Sequence, residues 1–123
     1  GEWCVFDNYM IKCLQLYLEE GLMKCESINM LIKNAENSND YRLAIRYYYL
    51  LVLKTLSLKN HIKFEDDRTN TEYLNELSSK SFSSKFAYTS YLYNYIWYGG
   101  FSLNFEQYNK AKSNFETLLN LIK

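Results

Sequence analysis

Asn39-Asp40-Tyr41-Arg42-Leu43-Ala44-Ile45-Arg46-Tyr47-Tyr48-Tyr49-Leu50-Leu51-Val52-Leu53-Lys54-Thr55-Leu56-Ser57-Leu58-Lys59-Asn60 is the stretch that decides the fold class of this chain. Tyr41, Ala44, Ile45, Tyr48, Leu51, Val52, Thr55 and Leu56 recur at steps of three and four, the period of one helix face. Asn39 or Asp40 offers the side-chain oxygen of an N-cap, so a helix is expected from there to about Asn60. At about 1.5 Å per residue it would be roughly 30 Å long. Tyr47, Tyr49, Leu50 and Leu53 make the remaining sides apolar as well. A helix apolar all round belongs at the centre of a bundle. Arg42 and Arg46 sit one turn apart near its start, where the helix dipole disfavours cations, so they need carboxylate or carbonyl partners; a structural ion pair is the expectation.

Working outward, helical spacing continues on both sides. Met10, Ile11, Leu14, Tyr17 and Leu18 predict a first helix from Asp7 to Glu20, with Asp7 as cap and Gly21 as stop. Ser27 caps a shorter helix carrying Ile28, Leu31, Ile32 and Ala35, which dissolves in Glu36-Asn37-Ser38-Asn39. Beyond the central helix, His61 to Asn70 is a connector with Ile62 and Phe64. Its acidic run Glu65-Asp66-Asp67 lacks the alternating oxygens and closing Glu of a calcium loop. Thr69-Asn70-Thr71-Glu72 has the form of a capping box and predicts a helix through Leu77. After the polar stretch Ser78 to Ser84, Phe86, Tyr88, Tyr91, Leu92, Tyr95 and Ile96 predict another helix, ended by Gly99-Gly100. Asn104 starts the last, with Phe105, Tyr108, Ala111, Phe115, Leu118, Leu119 and Ile122 as its apolar stripe. The fold expected is all-α, a single helical bundle of about five to six helices over residues 1–123.

Composition supports this. The chain has 123 residues, 48% apolar and 18% aromatic with 13 tyrosines, enough to build one core and too apolar for disorder. Proline is absent and only four glycines occur, so the punctuation of an all-β chain is missing. Fourteen basic and 14 acidic side chains cancel, which argues against a nucleic-acid partner, since that affinity rests on neutralising phosphates. Cys4, Cys13 and Cys25 are too few and too widely spaced for a disulfide framework or a zinc site, and His61 is the only histidine. The longest apolar run, Tyr47 to Leu53, is far short of the roughly 20 residues of a membrane helix. Gly1 in place of an initiator Met leads to the expectation that the chain is part of a longer protein.

Catalytic patterns are not found. His61 has no recognisable nucleophile motif around any cysteine, and the pairs Glu19-Glu20 and Asp66-Asp67 are adjacent, so they do not flank a substrate. Gly99-Gly100 has no following Lys-Ser/Thr to cradle a phosphate. The Arg and His that helical toxin nucleases place a few residues apart are absent, because Leu56 and Ser57 stand in the positions before His61. Tyr88, Tyr91, Tyr93, Tyr95 and Tyr98 could stack bases, but without interleaved Lys/Arg they are expected to pack in the core, any wet tips suiting a protein interface. No cofactor or metal is expected. Asn39 to Tyr48 also has the look of the opening of a tetratricopeptide helix, a peptide-binding alternative that lacks a second copy at a period of about 34 residues. A hydrolase or small-ligand-binding domain, its site gathered from His61, Arg46 and a carboxylate such as Glu72, is the other alternative.

Three stretches taken together carry a resemblance. Asn39 to Arg46 leading into Tyr49-Leu50 and Lys54-Thr55-Leu56, then Asp67-Arg68-Thr69-Asn70-Thr71-Glu72-Tyr73-Leu74 with Glu76-Leu77, then Tyr95-Ile96-Trp97-Tyr98-Gly99-Gly100-Phe101, resemble domain-of-unknown-function family 4129, nearest its Bacteroidetes branch. The likeness spans about Ile28 to Phe115 and leaves residues 1–24, with their helix, outside it. It implies a cytoplasmic C-terminal domain of transglutaminase-like bacterial membrane proteins, held at the inner membrane by a segment absent from this chain. Such genes neighbour those of an AAA ATPase and a von Willebrand-type protein, so an AAA ATPase or the transglutaminase-like membrane protein is the implied partner. The resemblance brings no catalytic residue. The expectation is a non-enzymatic accessory domain that docks a protein through Arg42, Arg46, Trp97, Tyr98 and Phe101.

Overall fold

The structure, a computed structural model, describes residues 12, 25–65 and 70–122. Five helices account for about three quarters of them: α1 Cys25–Asn37, α2 Tyr41–Leu58, α3 Asn70–Leu77, α4 Ser83–Gly99 and α5 Phe105–Leu121. No strand occurs among the described residues, so the fold is all-α. Of the first helix expected over 7–20 only residue 12 is described, and Cys4 and Cys13 lie outside the described residues.

Central position falls to α2. It packs against α1, α4 and α5, while α4 also meets α5. Ala44, Ile45, Tyr49, Val52, Leu53 and Leu56 are fully enclosed, and Leu50 and Leu51 are buried on the other sides. Even Lys54 is only 3% exposed. The all-round apolar sequence has the location that its composition demands. The neighbours bury single stripes: Ile28, Ile32 and Ala35 from α1, and Tyr108, Ala111, Phe115, Leu118 and, just past its end, Ile122 from α5. Tyr48 lies against Phe115 at 5.9 Å, and Tyr41 stacks on Tyr108 at 4.8 Å.

The helix ends are set by local chemistry. Asp40 caps α2 by accepting from the Leu43 amide at 3.2 Å. It also closes α1, because its own amide donates to the Ala35 carbonyl at 2.9 Å while Asn39, at φ 56°, donates to Glu36 at 3.0 Å. The same pair of bonds ends α2: His61 donates to Leu56 and Asn60, at φ 59°, donates to Ser57. Both are Schellman closures with asparagine in the left-handed seat usually held by glycine. Gly100 takes that seat after α4 at φ 68°. Asn104 caps α5 and forms a full box, accepting from the Gln107 amide while Gln107 accepts from its own.

Three expectations need correction. Ser27 lies inside α1, which already starts at Cys25, so it does not cap the helix. The central helix stops at Leu58 because the left-handed Asn60 turns the chain away. Phe105, expected in the stripe of the last helix, is 64% exposed and meets the bundle only at the side, its ring 6.2 Å from that of Tyr41. Thr69 of the capping box lies outside the described residues; α3 begins one residue after it. There Tyr73 ties the connector down, accepting from the Glu65 amide and donating to the Glu65 carbonyl, with Phe64 against its ring at 5.4 Å.

Candidate functional site

At 100° per residue, α4 divides its side chains between two faces. Phe86, Thr89, Ser90, Tyr93 and Ile96 point inward and are buried. Tyr93 stacks on Tyr49 of α2 at 4.2 Å with rings 9° apart. The Tyr49 hydroxyl shares a 3.1 Å hydrogen bond with Ser90, and Thr89 donates to the Phe86 carbonyl, so the buried polar groups of this seam are satisfied. Tyr88, Tyr91, Tyr95 and Tyr98 point outward and are 46%, 42%, 51% and 62% exposed. The expectation that these tyrosines pack in the core therefore holds for Tyr93 alone.

Phe101 completes the outer line. After Gly100 turns the chain, Phe101 folds back over Gly99 and stacks on Tyr95 at 4.6 Å with rings 11° apart. A Cβ on Gly99 would stand 2.6 Å from that ring, so the glycine is what lets Phe101 lie there. The result is an aromatic strip on the outside of the bundle, formed by Tyr88, Tyr91, Tyr95, Tyr98 and Phe101. From Leu77 to Phe105 the sequence holds Lys80 and Lys85 and no acid. Lys85 donates to Asn114 of α5 at 2.8 Å and lies 5.8 Å from the centre of the Tyr88 ring, so a cation stands at the Tyr88 end of a line whose own side chains are uncharged.

The five side chains singled out in the sequence do come to one end of α4, but in two roles. Arg42 donates to the carbonyls of Ile96 at 3.4 Å and Trp97 at 2.5 Å, in the last turn of α4, where the helix dipole favours a cation. Arg46 donates to the Tyr93 hydroxyl at 3.0 Å. Both guanidiniums lie over the Trp97 ring, 4.8 and 4.4 Å from its centre. Arg42, Arg46 and Trp97 are half-buried and bind α2 to α4. Of the two partner types expected for Arg42, the structure supplies carbonyls. Tyr98 and Phe101 are the two on the open surface.

A second cluster, which no sequence spacing announced, joins α1 to α5. Glu36 accepts from the Tyr108 hydroxyl at 2.5 Å and from Lys112 at 2.9 Å. Burial pushes the Glu36 carboxyl up, but the two hydrogen bonds with the charges of Lys112 and Lys33 outweigh it, and its net pKa is lowered. Burial and the same carboxylate push the Tyr108 phenol well above 10. The hydrogen bond to Glu36 outweighs burial at Lys112, which is raised above 10.5. All three shifts favour the ionised carboxylate, neutral phenol and ammonium that the hydrogen bonds require.

Two residues of the hydrolase alternative, His61 and Arg46, stand apart. His61 lies beyond the end of α2 with its ring edge-on to Phe82 at 5.1 Å. Arg46 is 15 positions earlier, about 20 Å away along the helix. A shallow depression on the outside of α5 is lined by Phe105, Glu106, Asn109, Lys110, Ser113 and Asn114, none of them a residue of that alternative. Among the described residues no group of three or more His, Cys, Asp or Glu side chains is placed to hold a metal ion, and no helix is long and apolar enough to cross a membrane. Comparison with protein-family models, curated proteins and solved structures finds no match to this chain.

Proposed function

We propose that this chain is a non-enzymatic protein-interaction domain that docks its partner through the outer aromatic face of α4. The observation that carries the reading is the continuous, uncharged line of Tyr88, Tyr91, Tyr95, Tyr98 and Phe101, each between 42% and 62% exposed. Tyrosine offers an apolar ring and a hydroxyl together, which is why it is enriched where two proteins meet. Scattered exposed apolar residues such as Met30, Leu58 and Leu121 are ordinary on any surface, whereas an aligned aromatic strip is not. The three motif stretches given above support a cytoplasmic accessory domain at a bacterial inner membrane, with an AAA ATPase or a transglutaminase-like membrane protein as partner.

The reading is tested by crosslinking and affinity capture from the membrane fraction of the source organism. Baits are the wild type and a Tyr95→Asp/Tyr98→Asp variant shown by circular dichroism to keep its helices. Recovery of an ATPase or membrane protein by the wild type alone supports the docking face. Equal recovery by both baits removes it. Arg46→Glu is the wrong probe, because it strips the ring of Trp97 and so disturbs the fold along with any surface.

A further inference from the structure

We infer that the α4 face, when no other protein holds it, pairs with a second copy of this chain about a twofold axis. The inference rests on the docking reading and gives it an occupant.

Area is the first argument. At roughly 150–250 Å² per aromatic side chain, the exposures of 42% to 62% leave on the order of 500 Å² of aromatic surface on the five residues. One such strip laid on another buries about 1,000 Å² in total, which reaches the lower bound of a specific interface between proteins. The same strip exposed on a monomer is at the upper end of what soluble chains tolerate.

Symmetry and charge give the second. Tyr88 and Tyr98 stand ten residues apart, about 15 Å along the helix, with Tyr91 and Tyr95 between them. Two antiparallel copies of α4 crossing near Tyr91 and Tyr95 bring Tyr88 of each copy toward Tyr98 and Phe101 of the other. A twofold interface requires such a self-complementary patch. It also requires that no charge meet its own image. Lys85 bonds Asn114 and lies 5.8 Å from the centre of the Tyr88 ring, at one end of the strip, so in the antiparallel arrangement the two copies of Lys85 stand at opposite ends, and no acidic residue occurs between Leu77 and Phe105. An uncharged strip equally lacks the complementary charges that would select a strongly acidic or basic partner. An interface of this size makes a weak dimer that responds to concentration.

The test is sedimentation equilibrium of the full chain over about 5 to 500 µM, a range that brackets dissociation constants of weak complexes. The wild type is expected to climb from the 14.8 kDa of one chain toward twice that mass. Tyr95→Asp/Tyr98→Asp is expected to remain at one chain's mass throughout. Phe105→Asp, which changes an equally exposed aromatic residue off the strip, is expected to dimerise as the wild type does. Should the aspartate pair cost the helical circular dichroism signal, Tyr88→Lys at the opposite end of the strip takes its place with the same expectation. A wild type that keeps the mass of one chain at the highest concentration overturns the inference, as does a strip variant that dimerises normally. If the wild type is monomeric yet captures an identified protein only when its strip is intact, the dimer falls and the docking reading stands. If it is monomeric and the strip makes no difference to capture, both fall.

Discussion

Asn39, Asn60 and Gly100 each turn the chain out of a helix through a left-handed backbone, and only Gly100 has no side chain to strain. Gly100→Ala is therefore expected to lower stability by about 1 kcal/mol, read from thermal unfolding. Gly99→Ala should behave differently. Its new methyl meets only the ring of Phe101, a side chain that can swing away, so stability is held while the Tyr95–Phe101 stack opens. Near-ultraviolet circular dichroism checks this, through a reduced aromatic signal at unchanged far-ultraviolet ellipticity. The stop at Gly100 and the start at Asn104 were legible in the sequence because those residue types announce themselves. Asn60 was not, since an asparagine in a left-handed seat has the same letter as one in any polar loop.

At the scale of the helix, legibility depended on contrast. The positions of α1 and of most of α5 could be read because apolar and polar residues alternate with the helical period. In α4 they do not: tyrosine occupies the buried face at Tyr93 and the open face at Tyr91 and Tyr95, so residue type could not tell inside from outside. Trp97 and Tyr98 were singled out together in the sequence, yet consecutive residues point about 100° apart on a helix. One joins the seam with α2 and the other the open strip. Arg42 holds that seam by bonding the terminal carbonyls of α4 and covering Trp97. Arg42→Ala is expected to destabilise by about 1–3 kcal/mol, as for other hydrogen bonds made by a charged group. Urea unfolding measures it, and Arg42→Lys should restore only part of the loss because an ammonium lacks the planar fork.

Across the whole molecule, the seam between α1 and α5 was beyond the reach of sequence spacing, because Glu36 and Tyr108 are 72 residues apart. Its pH dependence follows from the direction of its shifts. The Glu36 carboxyl is held below its usual 4.5, so its contribution is present above that value and is lost as pH falls through the lowered one. Tyr108 and Lys112 are raised, so theirs is present below about pH 10 and is lost as pH climbs. Thermal midpoints are therefore expected to fall at both extremes, and Glu36→Gln should flatten the acid limb while lowering the plateau between. The same seam has a consequence in time. The turn between α1 and α2 is three residues long and can close early, whereas the Glu36–Tyr108 bond waits on a loop of 72 residues, whose closure entropy must first be met by other contacts. Such a bond is expected to form after the folding transition state and so to strengthen only what lies beyond it. Tyr108→Phe should leave the refolding limb of a chevron unmoved and raise the unfolding rate. On that expectation the hydroxyl of Tyr108 governs how long the native bundle lasts rather than how quickly it is reached.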